Sequence, residues 1–378
     1  MVSRGTGDNH HWCGAWPGCG SLRRVASCRK RDHIGHSSVT TSPDSELPPI
    51  RTAGIGSWPG TDMMDAIKIA FAECPDLPYL PELPARGPYA DMIGRSTAFL
   101  AGLAVDLQPA GWRLTDASSR DHRQAISTLR ADLDMLEEQA QGYEGTLKLS
   151  VTGPWTLAAT MERPRGDRVL ADHGARRDLG QSLAEGTAQL VAELVRRLPD
   201  IEVLVQLDEP LLPAVLAGAI ANASGLGRHR AVEPSEISGV IIQTRERLAP
   251  TPVAVHCCAA DPPIELLRLA GVHGVLLDID QLSGADWDAV GTSLEAGVWI
   301  GMGALPSDHT GTLTQLGPDQ VARRVLGPLR DLGLDPPVAA RVVITPACGL
   351  ASATRDGAIR ALRTVRSAAQ IVTEQLGD

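Results

Sequence analysis

The chemistry this chain can offer is concentrated in one imidazole and two thiols. His256 and Cys258 stand in the motif His256-Cys257-Cys258, and Cys348 in the motif Pro346-Ala347-Cys348-Gly349-Leu350. Each motif follows a short apolar run, residues 252–255 in the first case and 342–344 in the second. If both runs are parallel strands of one sheet, their C-terminal ends converge and the three side chains meet on one ion. An imidazole with two thiolates suits Zn2+, and three protein ligands leave a position open for a substrate. That combination implies zinc chemistry on a thiol. Side chains alternate along a strand, so Cys257 is expected to face away from Cys258 and to stay out of the ligand set.

The elements that must position these groups repeat from residue 50 onward: a short apolar run, a polar or glycine-bearing turn, then a helical stretch. The runs end at Gly56-Ser57, Pro81-Glu82, Thr152-Gly153-Pro154, Asp208-Glu209-Pro210, His256-Cys257-Cys258, Asp278-Ile279-Asp280, Gly301-Met302-Gly303 and Pro346-Ala347-Cys348. Between them lie amphipathic stretches. Leu179, Leu183, Leu190, Val191, Leu194 and Leu198 share one helical face, as do Ile359, Leu362, Val365, Ala369, Val372 and Leu376. Asp261-Pro262-Pro263 reads as an N-cap with prolines opening a helix over 264–270. Eight such units predict an α/β fold of the (β/α)8 TIM-barrel type, whose catalytic groups sit at the C-terminal ends of the strands. No glycine-rich phosphate loop follows the first run, which argues against a dinucleotide fold. The stretch 83–145 exceeds a minimal unit and is expected to form part of a lid or rim.

Composition narrows the partners. The chain has 378 residues, a formal net charge of −10 and 43% hydrophobic residues. No basic stripe appears in its core, so nucleic acid and anionic membranes are excluded as partners. No apolar stretch reaches the ~18 residues of a membrane span. Seven cysteines in a chain this long make no disulfide framework, so a reducing, cytoplasmic compartment is expected. Only Lys30, Lys68 and Lys148 stand against 32 arginines. Residues 1–48 have no hydrophobic period and no continuous apolar segment of signal-peptide type. They are expected to be a disordered extension, or to precede a true start at Val39, leaving 49–378 as a single barrel domain. His10, His11, Cys13 and Cys19 match no common zinc-finger spacing.

In content and order these motifs resemble the catalytic C-terminal barrel of cobalamin-independent methionine synthase, from about residue 50 to the C-terminus. That family shares a superfamily with uroporphyrinogen decarboxylase and the zinc-dependent corrinoid:thiol methyltransferases. The resemblance implies that Ile55-Gly56-Ser57 holds the substrate amino acid through its backbone, at Ile55 and Ser57. Glu82 falls where the family places a carboxylate for the substrate amino group. Thr152-Gly153-Pro154 matches a strand-end turn. Gln206-Leu207-Asp208-Glu209-Pro210 is similar to the Asp-Glu-Pro motif, whose aspartate, here Asp208, also holds the amino acid at the catalytic centre. His256, Cys258 and Cys348 correspond to zinc ligands, and His309 resembles a catalytic histidine that accepts or shuttles a proton. The family's fourth ligand is a glutamate after the sixth strand. Here the candidates are Asp278 and Asp280, each one methylene shorter; Asp278 is favoured because it directly follows the run 275–277.

The resemblance thus implies a zinc-dependent methyltransferase that methylates the thiol of homocysteine to give methionine. Zinc would deprotonate the thiol and leave it nucleophilic. Glu82 and Asp208 would pair with the substrate ammonium, and backbone N–H groups near Ser57 would take its carboxylate. Full-length enzymes of the family carry a further N-terminal barrel that helps bind methylfolate. This sequence shows only one barrel, so the donor, methyltetrahydrofolate or a methylcorrinoid, stays open. Trp58, Trp155 and Trp287 are candidates for a flat donor surface, or simply large core residues. Two other readings compete. A decarboxylase like that acting on uroporphyrinogen would need Arg86 and Arg95 for substrate carboxylates and would leave the His/Cys/Cys set without a purpose. A zinc-binding pseudoenzyme or regulatory subunit would keep the ligands and lack turnover.

Overall fold

The computed structural model describes residues 50–307 and 316–377. The extension expected over residues 1–48, with its histidines and cysteines, lies outside the described residues, as does His309. The strands are β1 (Arg51–Thr52), β2 (Ala104–Gln108), β3 (Gly111–Thr115), β4 (Gly145–Thr152), β5 (Ile201–Asp208), β6 (Val253–Cys257), β7 (Gly274–Asp278), β8 (Trp299–Leu305) and β9 (Val342–Pro346). Seven of them form one parallel sheet in the order β1-β9-β8-β7-β6-β5-β4, while β2 and β3 make a separate antiparallel hairpin.

The two edges of that sheet, β1 and β4, are joined by the segment 78–82. Lys148 N–H donates to Pro78 O at 2.8 Å and Leu80 N–H to Lys148 O at 3.2 Å. On the other side Glu82 N–H donates to Gly56 O at 3.1 Å and Trp58 N–H to Glu82 O at 2.7 Å. Parallel bridges Tyr79 to Lys148 and Ser57 to Glu82 mark the same two seams. Pro78 and Pro81 have no N–H, so this eighth strand is stitched at intervals rather than laddered throughout. The ring closes as a (β/α)8 barrel; two expected run ends shift, since Gly301-Met302-Gly303 lies inside β8, which continues to Leu305, and Gly56-Ser57 follows β1 by several residues.

The helices cover the outside because each has one apolar stripe. Helix His173–Arg197 buries Leu179, Leu183, Leu190, Val191 and Leu194, and helix Arg355–Gly377 buries Leu362, Val365, Ala369 and Val372. One expected helix start shifts. The helix after β6 is Ile264–Leu269 with Pro263 at its N-cap, and Asp261 has a φ of +55° instead of capping it. A residue before proline is disfavoured in the α region, so the Pro262-Pro263 pair delays the helix until Ile264. The stretch 83–145 carries helix Met92–Thr97, the β2–β3 hairpin and helix Arg120–Gln139. It rests on the end of β4: Thr152 Oγ1 donates to Met92 O at 2.5 Å, and Thr152 N–H donates to Ser96 Oγ at 2.9 Å. Among the described residues no helix is long and apolar enough to cross a membrane.

Inside the barrel the period-two alternation of the strands builds layers. The floor is apolar, made by Ala53, Ile55, Leu77, Leu204, Ala254, Leu276 and Val343. Two residues further along β5 and β6 the same inward face carries Gln206 and His256, and two further along β5 it carries Asp208; all three are buried. The outward set, including Val203, Val205, Leu207, Val253 and Val255, belongs to the main core under the helices. Trp58 and Trp155 are both buried in that core, and Trp287 packs against it.

Candidate active site

His256 lies near the end of β6, Cys258 follows it, and Cys348 stands two residues past β9. β7 and β8 separate these strands in the sheet, so only the curl of the barrel brings the motifs together. The ligand atoms of His256, Cys258 and Cys348 all lie within 4.8 Å of one another, and the two sulfurs are 3.4 Å apart. Two thiolates sharing a tetrahedral ion at Zn–S distances near 2.3 Å stand about 3.8 Å apart, so the pair is close to ligating separation.

The imidazole fits the same role. His256 Nδ1 pairs with Asp208 Oδ1 at 2.9 Å, while Nε2 is buried without a hydrogen-bond partner. A buried orphan acceptor is costly, and a cation between it and the two sulfurs would satisfy it. A carboxylate behind the far ring nitrogen is the arrangement that orients histidine ligands. Burial opposes charge on this ring, but the hydrogen bond and charge of Asp208 outweigh it and hold the imidazole above its ordinary pKa. The hydrogen bond to Cys348, with burial, pushes the Cys258 thiol far up, so in the absence of a cation these sulfurs resist ionising together. Cys257 is buried and outside the donor group, and burial pushes its thiol up to about 12.

Among the described residues the donor group ends with these three, and neither Asp278 nor Asp280 is part of it. Asp278 closes β7, and its Oδ1 accepts the Asp280 N–H at 3.0 Å to cap the turn Ile279–Gln281. Asp280 pairs with Arg324 Nη2 at 2.5 Å.

The residues expected to hold an amino acid gather beside this group. Ser57 O accepts the Leu350 N–H at 2.9 Å, and a Cβ on Gly349 would overlap Ser57 Oγ. Glycine there lets the Cys348 loop lie directly against Ser57. Glu82 is 4% exposed, and its Oε1 has no hydrogen-bond partner; Arg95 Nη1 stands 3.9 Å away and donates instead to Pro81 O at 2.8 Å. Burial pushes the Glu82 carboxyl up to about 7 against the pull of Arg95, and the charge of Asp208 adds to the rise. Glu82 Oε1 accepts no hydrogen bond, and Arg95 is the cation paired with it. Arg86 is engaged with Asp132 at 2.7 Å.

Other members of this site carried no role in the sequence reading. Glu209 accepts the N–H groups of Trp155 and Thr156 at 2.9 and 2.7 Å and the Thr156 hydroxyl at 2.7 Å. Its carboxylate fills the space a Cβ on Gly153 would need, so the second acid of the Asp-Glu-Pro motif ties β5 to helix Pro154–Thr160. Burial pushes it up to about 7 despite those donors. Beneath the rim, Lys148 Nζ donates to Ile55 O, Gln206 Oε1 and Ser150 Oγ, and burial pulls its pKa down to about 8. The one available signal for Lys148 was a lysine in an otherwise apolar run, in phase with Ser150 and Thr152.

The family profile described as "Cobalamin-independent synthase, Catalytic domain" matches residues 50–371. A B12-independent methionine synthase from Shewanella sp. W3-18-1, solved in complex with selenomethionine, shares the fold at 14% identity. The alignment covers 87% of this chain and 99% of that chain with a TM-score of 0.59. A GH138 enzyme targeting pectin rhamnogalacturonan II aligns at 11% identity over 87% of this chain and 40% of its own, with a TM-score of 0.42. An intracellular xylanase from Thermoanaerobacterium saccharolyticum aligns at 13% identity over 79% and 86%, with a TM-score of 0.34. These last two are too distant to bear on function. No curated protein matches the chain.

Proposed function

Because the chain belongs to the family of cobalamin-independent synthase catalytic domains, a family of methyltransferases, we propose that it methylates the thiol of homocysteine on a zinc ion to give methionine. The observation that carries this reading is the buried, unpartnered Nε2 of His256 beside the sulfurs of Cys258 and Cys348. Zinc on these donors would keep an incoming thiol deprotonated yet nucleophilic at neutral pH. Asp208 accepts the Nδ1–H of His256 and so holds the tautomer whose Nε2 lone pair faces the sulfurs. Glu82 and Asp208 receive the substrate ammonium, the first through its unpartnered oxygen. The Gly56–Ser57 backbone, fixed between Glu82 and the Cys348 loop, receives the carboxylate end. Holding both ends of the amino acid aims its thiol at one point, which converts binding into orientation. The selenomethionine bound by the Shewanella relative, a selenium counterpart of methionine, supports an amino-acid product of this shape. The donor is proposed to be methyltetrahydrofolate or a methylcorrinoid: the sulfur, having lost its proton on binding, would bond to the methyl carbon as the donor's bond to that carbon breaks, the folate nitrogen leaving with a proton in place of the methyl group, or the corrinoid leaving as cobalt(I) with the bonding pair.

The test is the metal content of protein purified without added metal, followed by zinc-edge X-ray absorption during homocysteine titration. One zinc per chain and one added Zn–S contact support the reading. A metal-free protein, or Cys348→Ser retaining both zinc and methyl transfer, ends it.

A further inference from the structure

Lys148 is fully buried inside the barrel, between the apolar floor and the site. An ammonium has three donors and no acceptor. All three are used: Ile55 O at 2.6 Å, Gln206 Oε1 at 2.7 Å and Ser150 Oγ at 3.2 Å. The Tyr79 ring stands over it, with Nζ 5.3 Å from the ring centre. A methionine would fill much the same volume without the desolvation cost of a buried charge. The charge therefore calls for an explanation beyond packing.

Direction supplies one. Because Lys148 can only donate, it turns the oxygen of the Gln206 amide toward itself. The amide nitrogen must then face the other way, and it donates to Asp208 Oδ1 at 2.7 Å and to Ile55 O at 2.9 Å. Asp208 Oδ1 is the same oxygen that pairs with His256 Nδ1 at 2.9 Å. A donor arriving from Gln206 keeps that oxygen an acceptor, which in turn keeps the proton on His256 Nδ1. The reversed amide would present an oxygen to the carboxylate and favour a proton between them. The second branch runs through Ile55, whose carbonyl also takes the Ser150 hydroxyl at 3.0 Å. That carbonyl immediately precedes Gly56, whose own carbonyl holds the Glu82 N–H.

We infer that Lys148 is a positioning residue, which polarises the relay Lys148–Gln206–Asp208–His256 and anchors the Ile55 carbonyl beneath the amino-acid site. This rests on the proposed reading of that site as one for zinc and homocysteine. Lys148 touches neither ligand; it sets the tautomer of the metal-facing imidazole and the spacing of the two acids that take the ammonium.

The test compares Lys148→Met with Leu149→Ala, the outward-facing neighbour on the same strand, which destabilises by leaving a cavity and touches no member of the relay. Zinc affinity is read by chelator competition, homocysteine affinity by calorimetry on zinc-loaded protein, and the His256 tautomer by 15N NMR of the zinc-free protein. Lys148→Met is expected to weaken both affinities about tenfold and to shift the Nδ1–H tautomer toward a mixture, while Leu149→Ala changes none of the three. Gln206→Met is expected to reproduce the loss, and the double variant to add nothing to it, because the two residues act in series. If Lys148→Met does not fold, Gln206→Met with the same three readouts decides the matter. Variants that match Leu149→Ala, or losses that add in the double variant, overturn the inference. A wild-type protein that fails to bind homocysteine overturns the proposed function instead, and the tautomer measurement still judges Lys148.

Discussion

Replacing Asp208 by Asn keeps the shape of the side chain and removes its charge, at the point where two jobs meet. The carboxylate oxygen accepts His256 Nδ1 at 2.9 Å and Gln206 Nε2 at 2.7 Å, all within a buried site. Asparagine offers one oxygen for those two donors, but it replaces the second carboxylate oxygen with an NH2 that has nothing to give a cation. A hydrogen bond to a charged group is worth about 1.5–3 kcal/mol, roughly twice a neutral one. Halving the bond to His256 removes about 1–1.5 kcal/mol from zinc binding, a weakening of about tenfold, within the range seen when a carboxylate behind a ligating histidine is lost. Homocysteine loses one of two charged partners for its ammonium, about 2 kcal/mol or roughly thirtyfold in affinity. Chelator competition measures the first quantity, and calorimetry on zinc-saturated protein measures the second. A variant that holds zinc and homocysteine within twofold of wild type would refute the double role. Loss of homocysteine binding with zinc affinity unchanged would refute only the coupling through His256.

Three further outcomes are expected. Glu82 must be ionised to hold an ammonium, and its carboxyl is raised to about 7. Homocysteine affinity should therefore fall about tenfold per pH unit below that value and level off above it, and Glu82→Gln should flatten that part of the profile in calorimetric titrations from pH 5.5 to 8.5. Glu209→Ala leaves the buried N–H groups of Trp155 and Thr156 without acceptors, so urea denaturation should show a loss of about 3 kcal/mol. Some of that loss shrinks at higher pH. The folded carboxyl titrates near 7, above its unfolded value of about 4.5, so the wild-type acid costs stability increasingly as pH rises through that window. Cys257→Ala should retain zinc and lower stability by about 1–2 kcal/mol through a small cavity, whereas Cys258→Ala should lose the metal, as zinc analysis of both proteins would show.

Much of this architecture is legible in the sequence because it rests on short-range rules. Runs such as 252–255 and 342–344 are apolar, end in polar turns and recur with helices between them, and each became a strand of the barrel. Alternation along β6 explains why His256 and Cys258 can share a point while Cys257 is buried apart from the donor group. What escaped depends on longer-range placement. Among the described residues Asp278 stands outside the donor group, one of its oxygens accepting the N–H of Asp280 in a turn whose geometry no strand pattern specifies. Glu209 received no role from the sequence, because its task of accepting the first-turn N–H groups of helix Pro154–Thr160 depends on a segment 53–54 residues away. Lys148 and Gln206 have inward phase, but their depth below the rim is set by the stagger between strands, which only the closed barrel reveals.

The proline-bearing strand has a consequence for how the barrel opens. β4 and β5 are zipped over the full register from Gly145–Ile201 to Thr152–Asp208. The segment 78–82 is held to each neighbour by only a pair of backbone hydrogen bonds. Local opening follows the least-bonded path, so amide hydrogens of Leu80 and Glu82 should exchange sooner than those deep in β5. Glu82 sits on that seam, and Asp208 ends the firmly zipped strand. An amino acid bridging the two would act as a clasp across the weakest join of the ring, tightening the wall by which it entered.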